Sequence, residues 1–254
     1  MLTKLPKKIA TACWSGLDLH PFLLHFDSAL EKEGYRFREH DIDAACSVWS
    51  KEIFQDHALE VSVWPDRSSS ASGTYSFEVS LDVSSRRQPI IERLLDIRAC
   101  YGDDPATEVA SDICVLSVSF NWLMARWSPA LSSFAEAFNR WRNIKNEDYR
   151  QHVDDLIHFY QNQGIAFLEM VGSREKLANT LSHIKSFPGS GAGSGPGSAR
   201  PREYAAVLYA DLGQRSKALR ELELGLEESI ARPVDQRDAA RCVFDRYSEW
   251  INKN

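Results

Sequence analysis

The sequence has no long apolar run, and this absence limits what the protein can be. A membrane-spanning helix requires about 18 consecutive apolar residues, and no stretch of the sequence approaches that length. Residues 1–16, MLTKLPKKIATACWSG, contain two lysines after Pro6 but lack the continuous apolar core of a signal peptide. We therefore expect a cytoplasmic protein that is not embedded in a membrane.

Cysteine is also scarce. The five cysteines are odd in number and scattered, and no C-x-x-C pair occurs. A disulfide framework or a zinc site would need paired spacings that this chain lacks. We expect reduced, mostly buried thiols in a reducing cytosol at Cys13, Cys46, Cys100, Cys114 and Cys242.

The tract Pro188–Ala199 is rich in glycine and serine but lacks what a phosphate-binding loop requires. It contains no lysine, which excludes G-x-x-x-x-G-K-[ST], and Pro196 stands where G-x-G-x-x-G needs its last glycine. The segment before it has a helical pattern, whereas both motifs follow a strand. The tract at 188–199 is therefore predicted to be a flexible tether, and its composition fits a natural linker and an engineered one equally.

The chain has no surplus of basic residues. Lys and Arg number 30, Asp and Glu number 36, and the formal net charge is −6. Because nucleic-acid-binding proteins usually carry a basic surplus, we expect no nucleic-acid partner. Two basic clusters are notable, Arg86-Arg87 and RWRNIK at 140–145. The second could stack on bases or contact a phosphate, but the favoured interpretation is an amphipathic helix whose Trp141 points inward and whose arginines reach solvent. An acidic surface suits a basic protein partner.

Motifs for catalysis and metal binding are missing as well. No serine lies in G-x-S-x-G, and no H-E-x-x-H is present. Asp148 and His152, like Asp154 and His158, are four residues apart and can share a helix face. Since no further ligand follows at a recognised spacing, a solvated face is the favoured interpretation. We predict no catalytic, cofactor-binding or metal-binding residues, which leaves open an active site assembled only in space.

Alternating apolar residues are the strongest positive signal in the first half of the chain. In TYSFEVSLDVSS every second side chain is apolar, which predicts a strand with one buried and one solvated face. CSVWSKEIF, ALEVSVW and DICVLSVSFNWL have related patterns, so about four antiparallel strands are expected.

Helical periodicity replaces this alternation from about Pro129 onwards. Strands grouped first and helices afterwards indicate an α+β fold and not alternating βαβ units. We predict an N-terminal α+β sheet unit at 1–128 and an all-helical unit at 129–254 that contains the tract at 188–199.

A helical hairpin is predicted after the tract. The segment REYAAVLYADLGQRSKALRELELGLEES places Gly213 between two helices, and the small Ala206 and Ala218 allow close packing. The seam is expected to be filled by three leucines, Leu219, Leu222 and Leu226. The segment resembles one tetratricopeptide-like hairpin, which buries its apolar face only against neighbouring helices.

Six segments in chain order carry a resemblance to a known family: EKEGYRF, VWSKEIF, LEVSVW, YSFEVSLDV, HFYQNQGIAFLEMVGSREKLANTL and YAAVLYADLGQRSKALREL. Their order resembles a bacterial domain-of-unknown-function family found among proteins proposed as immunity proteins of polymorphic and contact-dependent toxin systems. The resemblance implies an α+β sheet unit with a helical tail, and a cytosolic protein that neutralises a cognate toxin by binding it. The family has no established catalytic residues to carry over, and the Gly/Ser-rich tract departs from its pattern.

Acidic and aromatic residues on loops or exposed faces are the expected contacts for such a toxin, because many toxin effectors are basic nucleases. The candidates are Trp64, Asp66, Asp103, Asp104, Glu147, Asp148, Asp154 and Asp155. Two other functions remain open. One is an enzyme, of hydrolase or RNA-processing type, whose site is assembled in space. The other is an adaptor whose helical hairpin binds an endogenous peptide.

Overall fold

The computed structural model describes most of the chain. The described residues are 13–14, 17–18, 20–41, 46–65, 74–75, 77–102, 113–120, 123, 144–145, 149–184 and 200–253. The tract at 188–199 lies outside these residues, so its role as a tether stays a prediction.

The described strands form one larger sheet and two small pairs. They are β1 (Cys13–Trp14), β2 (Leu17–Asp18), β3 (Arg36–Asp41), β4 (Cys46–Phe54), β5 (His57–Pro65), β6 (Thr74–Tyr75), β7 (Phe77–Ser85), β8 (Ile113–Ser119) and β9 (Ile144–Lys145). The five-stranded sheet has the order β3-β4-β5-β7-β8, while β1 pairs with β2 and β6 with β9. The expected helix across 140–145 is therefore wrong at its end, because Ile144–Lys145 pair with β6.

The described helices follow mainly in the second half of the chain. They are α1 (His20–Lys32), α2 (Gln88–Cys100), α3 (Tyr149–Phe159), a π-helical turn (Tyr160–Gly164), α4 (Ile165–Val171), α5 (Arg174–Ser182), α6 (Pro201–Asp211), α7 (Arg215–Ser229) and α8 (Val234–Lys253). In the part of the chain that the structure describes, no helix combines the length and the apolar character needed to cross a membrane.

The predicted α+β class, with an N-terminal antiparallel sheet and a helical C-terminal part, is confirmed. The sheet has five strands where about four were expected. The additional strand is β3, whose sequence RFREHD has no regular alternation. Its antiparallel pairing with β4 contains an irregularity between Phe37 and Glu39, which explains why a strict two-residue period is absent.

Strand β5 is more deeply buried than its alternating sequence suggests. Glu60 and Ser62, between apolar residues that are fully buried, are themselves only 7% and 4% exposed. The strand lies between β4 and β7 in the interior of the sheet, and the burial of successive residues shows that both of its faces are covered along this stretch. The buried polar groups are satisfied by other strands of the sheet. Arg38 Nη1 on β3 donates to Glu60 Oε1 at 2.5 Å, and Ser62 Oγ donates to Asp82 Oδ2 on β7 at 2.9 Å.

The predicted helical hairpin is present as α6 and α7. Gly213 between them has a φ of 73°, a left-handed conformation that favours glycine at a helix end. Helix α6 is buried along most of its length because α5, α7 and α2 all pack against it. In the seam only Leu222 of the three expected leucines is buried; Leu219 and Leu226 are partly exposed, and Glu221 and Gly225 are buried.

The chain forms two compact units, each assembled from separate segments. The first unit comprises Met1–Glu52, Leu59–Asp82 and Val118–Leu168, and the second comprises Ile53–Ala58, Val83–Ser117 and Glu169–Asn254. In the first, α1 packs against α3 and β3. In the second, α5, α6, α7 and α8 pack in sequence, and α2 contacts α6 and α8. The predicted division into an α+β sheet unit at 1–128 and a helical unit at 129–254 stays a prediction.

Candidate functional site

Trp64 is the candidate contact residue that the structure places most clearly. It lies near the end of β5 and is 42% exposed, whereas Val61 and Val63 on the same strand are fully buried. Because a strand turns successive side chains to opposite faces, Trp64 shares its face with Glu60 and Ser62. Those two side chains are buried, so this face becomes exposed only at the end of the strand. An exposed indole on a hydrogen-bonded strand is a rigid apolar surface available for contact.

Two of the seven acidic candidates, Asp154 and Asp155, lie among the described residues. Asp154 on α3 is exposed, and its carboxylate is 2.8 Å from His25 Nε2 on α1. Asp155 beside it is partly exposed. His158 interacts with the Asn162 side chain, which donates to the His158 carbonyl oxygen at 2.7 Å. The other five candidates lie outside the described residues: Asp66, Asp103, Asp104, Glu147 and Asp148.

A hydrogen-bonded cluster of Tyr35, Lys51 and Tyr160, the tyrosine–lysine cluster, lies in the first unit. The two tyrosine hydroxyls are 2.8 Å apart, and Lys51 Nζ donates to Tyr160 Oη at 2.9 Å. The same ammonium is 4.5 Å from the centre of the Tyr35 ring, a cation–π contact. Burial, helped by the nearby Tyr160, raises the pKa of Tyr35 well above its usual value. Tyr35 therefore keeps its proton at neutral pH and serves as a hydrogen-bonding group.

The π-helical turn positions Tyr160 in this cluster. A Cβ atom on Gly164 would stand 2.8 Å from Cδ2 of the Tyr160 ring, so only glycine leaves room for that ring. Both hydroxyls and the ammonium have partners inside the protein, which is typical of a structural hydrogen-bond network. Sequence reasoning missed the cluster because Tyr160 is 109 residues from Lys51 and 125 from Tyr35. The one local signal is the glycine four residues after Tyr160.

A second cluster of charged residues, the Asp211 cluster, lies in the second unit. Asp211 Oδ1 accepts from Arg87 Nε at 3.0 Å, and its Oδ2 accepts from Arg174 Nη1 at 2.5 Å. Arg87 precedes α2, Arg174 opens α5, and Asp211 ends α6. One carboxylate thus joins three helix ends. The ion pairs are mostly buried, so they offset the cost of removing their charges from water only where the hydrogen-bond geometry is good.

His57 is buried near this cluster, and the charges of Arg174 and Asp211 affect its pKa. Its Nδ1 is 2.9 Å from the Gln55 carbonyl oxygen, so Nδ1 carries the hydrogen and Nε2 is the unprotonated nitrogen. Among the described residues, Nε2 has no hydrogen-bond partner. Burial lowers the pKa of His57; Arg174 adds to this, while the Gln55 carbonyl and Asp211 oppose it. His57 is therefore a neutral side chain in the folded protein at pH 7.

The buried neutral state of His57 predicts a loss of stability in mild acid. The unfolded chain protonates histidine near its ordinary pKa of about 6.5, while the folded protein resists protonation to lower pH. The unfolded state then binds more protons, so the free energy of unfolding falls as pH drops below about 6.5, by at most about 1.4 kcal/mol per pH unit. Urea denaturation at several pH values from about 7.5 to 5.5 measures this slope.

His57→Gln is expected to flatten that pH dependence, because glutamine does not titrate. His183→Gln, at an exposed histidine, is the matched control and should leave the slope unchanged. Equal slopes for the wild type and His57→Gln would contradict the assignment of the acid sensitivity to His57.

Comparisons with protein-family models, with curated proteins and with solved structures find nothing that matches this chain. The resemblance in the six sequence segments therefore stays a prediction. The contacts and exposed surfaces described above are the basis on which a function is proposed.

Proposed function

We propose that this protein is an immunity-type binding protein that acts in the bacterial cytoplasm and neutralises a cognate toxin by direct protein–protein contact. The observation that carries the proposal is Trp64, which is 42% exposed on a strand whose neighbouring apolar side chains are buried. Tryptophan is enriched among the residues that dominate binding energy at protein interfaces. Covering the rest of this indole with a partner removes apolar surface from water and so favours association.

The charge of the chain supports a basic partner. The formal net charge is −6, and a surplus of this sign attracts a positively charged protein over long range. Such steering raises the association rate, and salt weakens it. Exposed Asp154 on α3 belongs to this acidic surface, although its contact with His25 gives it a second role inside the first unit.

An exposed apolar pair in the second unit favours a second candidate, the helical adaptor. Ile230 and Val234 lie where α7 ends and α8 begins, and they are 69% and 60% exposed. Packed helical hairpins commonly present such residues to peptides or proteins. In this case the contact residues would lie at the α7–α8 junction and not on β5.

The test is a growth-rescue and binding experiment with the polypeptide encoded immediately upstream of this chain. Expression of that polypeptide should stop growth, and co-expression of this chain should restore it. Isothermal titration with the purified pair should then give a Kd that Trp64→Ala weakens by at least about tenfold. Because Trp64 is on the surface, Trp64→Ala should unfold at nearly the temperature of the wild type.

Ile230→Ser combined with Val234→Ser is the matched control, since it removes exposed apolar side chains from the other unit. The immunity proposal expects this variant to bind like the wild type. Loss of binding in this variant with full binding by Trp64→Ala would contradict the role given to Trp64 and assign the contact to the α7–α8 junction. Absence of both rescue and binding would refute the toxin proposal.

A further inference from the structure

Two cysteines that are far apart in the sequence meet in the second unit. Cys100 is the last residue of α2, and Cys242 lies on α8, 142 residues later. Their Sγ atoms are 2.7 Å apart, and both side chains are partly exposed. The expectation of mostly buried thiols is therefore wrong for the four cysteines whose side chains the structure describes, since only Cys46 of these four is buried.

The helices that carry these cysteines are held side by side by contacts along the turns next to the thiols. Tyr247 on α8 donates its hydroxyl to the Arg93 carbonyl oxygen at 2.8 Å, and the same hydroxyl is 3.2 Å from Asp96 Oδ2. Arg246 Nη1 is 3.3 Å from Asp96 Oδ1. The sulfur positions are thus set by a packed helix pair and not by mobile loops.

A further contact extends this packing beyond Tyr247. The Arg93 guanidinium lies 4.7 Å from the centre of the Trp250 ring, and the Tyr247 and Trp250 rings meet edge to face at 6.1 Å. The two helices therefore stay in contact over about two turns that lead up to the cysteine pair. A bond between the sulfurs requires only a small local adjustment, since a disulfide is about 2.05 Å long.

We propose that Cys100 and Cys242 are a redox-active thiol pair that closes to a disulfide with a peroxide as oxidant and reopens with a dithiol reductant. The pair is a modification site that covalently joins α2 to α8. It does not depend on the toxin proposal, because it rests on contacts within the second unit alone.

The oxidation proceeds in two balanced steps. In the first, one thiolate attacks hydrogen peroxide: an S–O bond forms, the O–O bond breaks, and the departing hydroxide takes up the thiol proton to become water. In the second, the other sulfur loses its proton and displaces hydroxide from the sulfenic acid, so that an S–S bond forms and a second water leaves. Two electrons pass from the two sulfurs to the peroxide.

Cys100 reacts slowly while it is reduced. Burial, with Cys242 close by, raises the pKa of the Cys100 thiol to about 12. Because the thiolate is the reactive form, this shift slows the reactions of Cys100 at neutral pH, and its oxidation by peroxide is slowed with them. Once oxidised, the pair closes a loop of 142 residues, which restricts the unfolded chain and stabilises the folded protein.

The experiment compares the full chain after reduction with dithiothreitol and after treatment with hydrogen peroxide. Oxidation should lower the intact mass by about 2 Da, yield a cross-linked peptide containing Cys100 and Cys242, and raise the Tm by about 5–10 °C. Dithiothreitol should reverse all three changes. These readouts use the wild-type protein and so do not depend on whether a variant folds.

Cysteine-to-serine variants assign the effect to the pair. Cys100→Ser and Cys242→Ser should each lose the cross-link and the Tm increase, whereas Cys114→Ser, at an exposed cysteine, should keep both. A gain of oxygen mass at Cys100 or Cys242, a cross-link through another cysteine, or an unchanged Tm after oxidation would each overturn the proposal.

Discussion

Arg202→Met is expected to lower the free energy of unfolding by about 3 kcal/mol, because it leaves a buried carboxylate without its cation. Arg202 on α6 donates to Glu221 Oε2 at 2.8 Å and to Glu228 Oε1 at 3.1 Å, both on α7. It also donates to the Ser182 carbonyl oxygen at 2.5 Å, at the end of α5. One guanidinium therefore connects three consecutive helices of the second unit.

The electrostatics of Arg202 agree with this role. Burial by itself lowers the pKa of the guanidinium, but the bonds to Glu221 and Glu228 outweigh it and raise the pKa above its ordinary value. Methionine retains most of the apolar stem and removes only the charge and the donors. The loss then comes from Glu221, which is 8% exposed and would lose the guanidinium that pairs with it.

Urea denaturation measures this loss, and two further variants identify its source. Arg220→Met, at an exposed arginine of α7, should change the free energy of unfolding by less than about 0.5 kcal/mol. Adding Glu221→Gln to Arg202→Met should recover at least about 1 kcal/mol, since it removes the uncompensated charge. A double variant less stable than Arg202→Met alone would contradict the electrostatic explanation.

Trp49→Ala is expected to destabilise the protein by about 3–5 kcal/mol, through the cavity that it leaves in the first unit. Trp49 on β4 is fully buried. Its ring meets Phe26 of α1 edge to face at 5.0 Å and Phe37 of β3 at 5.6 Å. Its Nε1 donates to Asp27 Oδ1 at 2.7 Å, so the indole joins the helix to the sheet by both apolar and polar contacts.

Two substitutions separate these contributions. Trp64→Ala removes the same side chain from an exposed position and should cost less than about 1 kcal/mol in denaturant unfolding. Trp49→Phe keeps an aromatic ring but loses the donor to Asp27. Burial raises the pKa of Asp27 and the Trp49 bond partly lowers it, so Trp49→Phe should raise that pKa further, as NMR titration of the carboxylate can measure. Equal losses for Trp49→Ala and Trp64→Ala would refute the burial argument.

Local elements of the fold were predictable because they depend on neighbours in the sequence. Ser173 caps α5 by accepting a hydrogen bond from the Lys176 backbone nitrogen at 3.2 Å, and serine is a preferred residue at such a position. Gly213 ends α6, and the alternation across β7 matches the burial of Val79, Leu81 and Val83. Each of these features is set within a few residues of chain.

The environment of β5 shows where such local reasoning stops. Its period-two pattern predicts solvated Glu60 and Ser62, but both side chains are buried on a strand in the interior of the sheet. The pattern is the same for a strand at the edge of a sheet and for one at its centre. Only the pairing of strands decided that Glu60 needs Arg38 as its partner.

The candidate sites were even harder to predict from the sequence than the fold. Trp64 was chosen from the sequence for its residue type, and its exposed position agrees with that choice. The tyrosine–lysine cluster and the Cys100–Cys242 pair were missed, since their members approach across 109 to 142 residues of chain. No spacing rule applies over such separations.

By itself the sequence determined the α+β class, the helical hairpin, its glycine turn and the acidic balance of the chain. The tertiary structure alone decided that two compact units each combine distant segments. It also decided which buried charged groups form pairs and which two thiols meet. The reason is physical: backbone periodicity arises from contacts within about four residues, whereas side-chain partners are selected by how whole helices and strands pack.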